Sequence, residues 1–386
     1  MALFHNKTLY VALTGLAVIT VYKIFFDPAF DIVHHLDHEK MTILNLAGLL
    51  LGFAILAKHF EHSGVPDILP NYLPDNWTGG FVLLILIAVI SSFLDNIAAA
   101  MIGGTIALVV FKGNVHIGYL AAIVAASNAG GSGSVVGDTT TTMMWIAGVN
   151  PLDVLHAFVA AVPALIVFGI IAARQQHKFQ PIQKDANPNA KVDGKKLIAV
   201  VLILAGAILT NIYLDLPAAG VWAAILLCAA FTKTDWKEIP ASLSGTIFLL
   251  SLVLCASMMP VNELPTASWQ TAFILGFVSA VFDNIPLTAL AIQQDGYDWG
   301  MLAYAVGFGG SMIWFGSSAS VALSNMYPQA KSVGSWLKNG WHVTVGYIIG
   351  FFILLGIWGW HPHKIKTDKG NASEQTQPAH TGEHSH

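Results

Sequence analysis

The sequence predicts an all-α polytopic membrane protein: inverted repeats, two re-entrant helical hairpins and two discontinuous transmembrane helices. Three observations carry this. Of 386 residues, 55% are hydrophobic and only 10% charged, against about 25% charged in a soluble domain. Apolar stretches of membrane-spanning length recur along the chain. Finally, one pattern occurs twice. Leu94-Asp95-Asn96-Ile97-Ala98 is answered 188 positions later by Phe282-Asp283-Asn284-Ile285-Pro286. Each copy precedes a glycine-rich run, Gly130-Gly131-Ser132 to Gly137-Asp138 and Gly309-Gly310-Ser311 to Gly316-Ser317, with the same Gly131–Gly137 and Gly310–Gly316 spacing.

The elements follow in order. Residues 8–26 form an apolar stretch with no small-x-small cleavage site before Asp27, so a retained helix is expected rather than a signal peptide. Further spans are expected at 41–58, 152–173, 195–213, 217–231, 243–260 and 335–358. Residues 117–147 and 299–330 begin and end apolar but have polar, glycine-rich middles. Glycine and serine weaken helical backbone, so the first is expected to break within Asn128–Ser134. Such breaks persist at membrane depth only when buried in protein or lining a water-filled cavity. The segments 79–111 and 268–293 place Asp-Asn near the middle of apolar sequence, and the second is too short for two full spans. Hairpins with Asp-Asn at the tip fit both.

The positive-inside rule orients these elements. Arg174, Lys178, Lys184, Lys191, Lys195 and Lys196 make the 174–196 connection cytoplasmic. Counting back, the N-terminus is cytoplasmic, the acidic 27–40 loop is external, and the first hairpin enters from the cytoplasm. Counting forward, Lys233 and Lys237 fall inside, Glu263, Asp295 and Asp298 outside, and Lys331 and Lys338 inside. The second hairpin enters from outside and the C-terminus is external. The first repeat is thus 1–180, a polar linker covers 181–194, and the second repeat is 195–360. The tail 361–386, with five histidines, is expected to be disordered.

Three acidic residues lie well inside apolar sequence: Asp95, Asp138 and Asp283. Asp153 and Asp215 sit at helix ends. Carboxylates at membrane depth are costly and mark ion or proton pathways. Each of the three could also cap a helix, which leaves lone pairs to spare for a cation. Paired interruptions in two halves are the mark of a secondary transporter. Desolvation favours a protonated carboxylate and a bound cation favours an ionised one, so one group can carry a proton or a sodium ion in turn. Asp95, Asn96 and Asp138, with Ser127, Asn128 and Thr139, are the expected first cation and proton site. Asp283, Asn284, Ser317 and Ser318 are the second, which lacks a counterpart of Asp138 because position 317 is serine. Sodium would be ligated by the three carboxylates.

Arg174 is the only arginine, and the lysines lie at helix ends or in loops. Three carboxylates without a buried cation would repel a di- or tricarboxylate, so a cationic cargo is favoured. No basic stripe exists for nucleic acid. Cys228 and Cys255 lie in apolar segments as packing residues. His116, His156 and His342 are expected at or near helix ends, and His34, His35 and His38 with Asp37 in a solvated external loop. His380, His384 and His386 form no expected metal site. Phosphate-loop, nucleophile-elbow, Cys-x-x-Cys and His-Glu-x-x-His motifs are lacking, which argues against catalysis.

These residues resemble the ion transporter superfamily, and most closely the NhaD-type sodium/proton antiporters. The resemblance rests on Ser127-Asn128-Ala129-Gly130-Gly131, Val136-Gly137-Asp138-Thr139-Thr140-Thr141-Thr142-Met143-Met144-Trp145, Asp283-Asn284-Ile285-Pro286-Leu287 and Gly309-Gly310-Ser311 through Gly316-Ser317-Ser318-Ala319, within residues 41–358. It implies a dimerising scaffold and a transport domain that moves like an elevator. In the related sodium/dicarboxylate symporters the tips carry Ser-Asn-Thr, where this chain has Asp95-Asn96-Ile97 and Asp283-Asn284-Ile285. The expected activity is exchange of sodium or lithium for protons in a bacterial inner membrane, with no resident cofactor. The rivals are a sodium-coupled carboxylate transporter and a non-transporting membrane receptor.

Overall fold

A computed structural model describes residues 8–28, 30–183, 191–214, 216–259 and 265–365. Asp215, Glu263, Lys184 and the histidines beyond 365 lie outside these residues. Among the described residues every regular element is helical, as a lipid environment demands of a chain without a closed barrel. In order they are α1 (Thr8–Phe26), α2 (Ile32–Glu61), α3 (Val65–Tyr72), α4 (Trp77–Ser91), α5 (Asn96–Val110), α6 (Ile117–Ser132), α7 (Thr139–Ile146), α8 (Pro151–Leu155) and α9 (Phe158–Phe179). Then follow α10 (Gly194–Leu214), α11 (Pro217–Ala229), α12 (Glu238–Ser257), α13 (Trp269–Ser279), α14 (Asn284–Gln294), α15 (Trp299–Gly309), α16 (Ser318–Met326) and α17 (Val333–Trp358). Among the described residues, six helical stretches are long and apolar enough to cross a membrane: Leu9–Phe26, Ile32–Glu61, Pro151–Phe179, Gly194–Leu214, Glu238–Ser257 and Val333–Trp358. The chain is an integral membrane protein.

The helices fall into two packed groups. α1, α2, α10, α11 and α12 pack on one another, and α4, α5, α6, α9, α13, α15, α16 and α17 form the other group. α7 and α14 reach from the second group to α2 and α12. There Leu46, Met143, Leu249, Val253, Ala256, Ile285 and Ala289 make a separate apolar cluster along the seam.

Three expectations are corrected. The backbone stays helical through Asn128–Ser132, and α6 breaks only after it, at residues 133–138. The glycines serve close approach here: a Cβ on Gly130 would lie 2.0 Å from the Ala88 carbonyl oxygen, and one on Gly309 2.1 Å from that of Gly276. The supposed loop 31–40 is the start of α2, because the Asp31 carboxylate caps it by accepting from the Val33 and His34 amides. His34, Asp37 and His38 therefore ride on a helix, and the His35 ring lies 2.9 Å from the Ser257 hydroxyl. Asp298, in the 295–298 connection, is fully buried. Its Oδ1 accepts from the Met301 amide at 3.0 Å and lies 2.6 Å from His156 Nε2, while Oδ2 accepts from the His361 amide. That last bond is part of the third correction. Residues 361–365 are pinned rather than disordered, with the His363 and Ile365 amides donating to the Tyr297 carbonyl and the Asp295 carboxylate. His342 is fully buried on α17, 3.2 Å from Gln175 Oε1, while His116 caps α6.

Candidate functional site

Two short hairpins bring the repeated Asp-Asn to the broken helices. α4 turns into α5 through residues 92–95, and α13 into α14 through 280–283. Serine hydroxyls clamp each first arm. Ser91 donates to the Ser127 carbonyl at 2.6 Å and Ser92 to that of Gly130 at 3.0 Å. In the second half Ser279 donates to the Val306 carbonyl at 2.7 Å. The repeated glycine spacing is explained at the breaks. A Cβ on Gly131 would stand 2.5 Å from the Gly137 carbonyl oxygen, and one on Gly310 2.7 Å from that of Gly316.

All three acids cap helices through one oxygen. Asp95 Oδ1 accepts from the Ile97 amide at 2.9 Å, Asp138 Oδ1 from Thr140 at 3.2 Å, and Asp283 Oδ1 from Ile285 at 3.1 Å. The second oxygens differ. Asp283 Oδ2 accepts from the Ser318 hydroxyl at 3.4 Å, whereas Asp138 Oδ2 is buried with no hydrogen-bond partner. Asp95 is half-buried and lines a cavity of about 1020 Å³.

The expected residues of the first half come together. The Asn96 amide donates to Asn128 Oδ1 at 3.0 Å, and Thr139 faces the Asp95 carboxylate. Asn128 also reaches across to the second half, donating to the Ser311 hydroxyl at 2.9 Å and that of Ser317 at 3.3 Å. The Ser127 hydroxyl donates to the Val124 carbonyl at 2.9 Å, and the Ser127 carbonyl accepts from Ser91. Asn284 is buried at the start of α14. The repeat-equivalent of Asn128, the partner of Asn96, lies 179 further on and is Gly307, which has no side-chain amide.

The threonine run after Asp138 divides its work. Thr141 and Thr142 donate to the Ser134 and Val135 carbonyls at 2.6 and 2.8 Å, satisfying backbone that the break exposes. Sequence reasoning missed Ser311, Ser132 and Thr140. The same 179-residue offset that links Gly131 to Gly310 links Ser132 to Ser311 and was available as a signal.

Among the described residues no group of three or more His, Cys, Asp or Glu side chains is gathered to hold a metal ion. Asp95, Asp138 and Asp283 therefore do not form one cage. Each accepts from a backbone N–H, and Asp283 also from a hydroxyl.

Fold and site together define a membrane transporter. A family model described as citrate transporter (CitMHS) matches residues 2–309, and the chain belongs to that family. Among individual proteins it is similar to sodium/proton antiporter 1 of Arabidopsis thaliana, 27% identical over 340 residues, covering 75% of this chain and 58% of that one. It is similar also to the Na(+)/H(+) antiporter NhaD of Alkalimonas amylolytica, 26% identical over 337 residues, covering 72% of this chain and 68% of that one. The NhaD antiporter of Vibrio parahaemolyticus is 26% identical over 306 residues, covering 64% and 72%. The chain thus spans less than two thirds of the first relative's length.

Proposed function

We propose that the protein exchanges sodium or lithium for protons, with Asp95, Asn96 and Asp138 as the main coupling site and Asp283, Asn284, Ser317 and Ser318 in support. The observation that carries this is the cavity that reaches Asp95. Its walls near Asp95 are Ile97, Ala98, Met101, Ile102 and Thr105 of α5. The lysines among its lining residues, Lys58, Lys191 and Lys196, sit at or beyond helix ends. A cation arriving there meets a carboxylate whose Oδ1 already holds the Ile97 amide and which can accept either a proton or a metal ion. A tricarboxylate would meet the same charge with no cation beside it.

In this reading the 1–180 and 195–360 halves are inverted repeats, and the hairpins are re-entrant. Lys58, Lys191 and Lys196 mark the cytoplasmic mouth, so the cavity is the inward-facing approach. The apolar seam of Leu46, Met143, Leu249, Val253, Ala256, Ile285 and Ala289, lying between the two packed groups, supports an elevator movement. The scaffold is α1, α2, α10, α11 and α12, and a homodimer in a bacterial inner membrane completes the reading. Names of relatives that are sodium/proton antiporters support it as well.

The test uses everted vesicles holding a proton gradient read by a pH-sensitive dye. Sodium or lithium should dissipate the gradient, and Asp95→Asn should abolish the response. The reading fails if cations have no effect while labelled citrate accumulates with sodium.

A further inference from the structure

Where α14 meets α12, both helices present residues at a spacing of four. Ile285 and Ala289 of α14, and Leu249 and Val253 of α12, belong to the apolar seam. The next positions at that spacing are Gln293 and Ser257, at the C-terminal ends of the two helices, and there the seam turns polar. With its amide turned to satisfy both ends, Gln293 donates to the Ala256 carbonyl at 3.3 Å and accepts from the Ser257 amide at 3.2 Å. α12 is in turn tied to α2 at both ends. The Ser257 hydroxyl gives its proton to the Leu254 carbonyl at 3.0 Å, so the His35 ring nitrogen 2.9 Å away is its donor. At the other end Lys58 lies 3.9 Å from Glu238.

The repeat shows what this stripe does. At the 188-residue offset of the hairpin tips, Ile285, Ala289 and Gln293 correspond to Ile97, Met101 and Thr105. In the first half those three residues line the cavity, opposite Thr246 and Leu249 of α12. The same stripe is thus open in one hairpin and docked in the other. Thr105 has no amide, and its hydroxyl donates to the Met101 carbonyl of its own helix at 2.9 Å. Apolar contact is non-directional, whereas a hydrogen bond demands distance and angle. One step of four residues is about 6 Å along a helix. Such a step leaves Ile285 or Ala289 on an apolar position of α12. It takes Gln293 opposite Val253 or beyond the last turn, away from the Ala256 carbonyl and the Ser257 amide.

We propose that Gln293 is a positioning residue: it pins α14 to α12 in one register and so favours the arrangement in which the cavity at Asp95 is open. The inference rests on the sliding movement proposed above and deepens it by naming a contact that must break before the groups slide. With Thr105 at the matching place in the first hairpin, the opposite arrangement has no equivalent pin, so the two arrangements are unequal. Two net hydrogen bonds favour the pinned register by roughly 10- to 100-fold.

The test is single-molecule energy transfer in liposomes, using the full-length chain without Cys228 and Cys255. Dyes sit on Leu226→Cys of α11 and Ile274→Cys of α13, both exposed positions, one in each packed group. Gln293→Met keeps the length of the side chain and loses the amide. Gln293→Glu turns a second oxygen toward the Ala256 carbonyl. Both should raise the minor population relative to the major one by roughly 10- to 100-fold. Thermal midpoints show whether each variant folds, and either one carries the test alone. Two populations in the parent chain with an unchanged ratio in the folded variants make Gln293 a packing residue and overturn the pin alone. One population shared by the parent and both folded variants overturns the sliding movement with it.

Discussion

Replacing Asp95 by asparagine separates the two jobs of that residue. Its Oδ1 caps α5 by accepting from the Ile97 amide at 2.9 Å. Asparagine caps about as well as aspartate, so the helix should lose less than about 0.5 kcal/mol, whereas alanine should cost about 1 kcal/mol. The charge is another matter. Removing one partner of a buried ion pair costs about 3–5 kcal/mol, which is more than about 100-fold in affinity. Asp95→Asn should therefore keep its thermal midpoint and lose sodium-dependent proton movement, while Asp95→Ala loses both. The assay pairs a thermal midpoint from fluorescence-detected size exclusion with the sodium concentration that half-dissipates a proton gradient. An asparagine variant that transports with unchanged sodium dependence would refute the reasoning, as would one destabilised as much as alanine.

Asp283→Asn should reduce exchange less than Asp95→Asn, because Asp283 Oδ2 already accepts from Ser318; equal losses in vesicle assays would argue against unequal sites. Gly309→Ala places a carbon 2.1 Å from the Gly276 carbonyl oxygen and should destabilise by about 1–3 kcal/mol or more, read as a lowered thermal midpoint. In a background without Cys228 and Cys255, Met101→Cys on the cavity wall should react with an impermeant maleimide from the cytoplasmic side, while fully buried Ala126→Cys should stay protected; labelling of Met101→Cys from outside only would reverse the orientation. Ala289→Trp, set in the seam with Leu249 and Val253, should slow exchange more than it weakens ²²Na⁺ binding, and equal effects on both would count against sliding at that seam.

Much of this was legible in the chain because apolar runs and charged punctuation leave few choices in a bilayer. The expected hairpin segments 79–111 and 268–293 meet α4–α5 and α13–α14 within two residues at either end. Asp95, Asp138 and Asp283 were found because acids are rare in apolar sequence. What failed had a common cause: the meaning of a polar or small residue depends on what packs against it. Gly130 reads as a helix breaker, yet it lies within a helix pressed on the Ala88 carbonyl. The threonine run gave no hint that Thr141 and Thr142 serve backbone carbonyls while Thr140 stays unpaired.

The most direct measurement of antiport is ²²Na⁺ entry into liposomes holding only the purified protein, driven by an acidic interior. Uptake above background that is lost when the pH gradient is collapsed, and lost again in Asp95→Asn, is the expected result. Sodium entry that ignores the pH gradient and occurs only when labelled citrate enters with it would contradict the central claim.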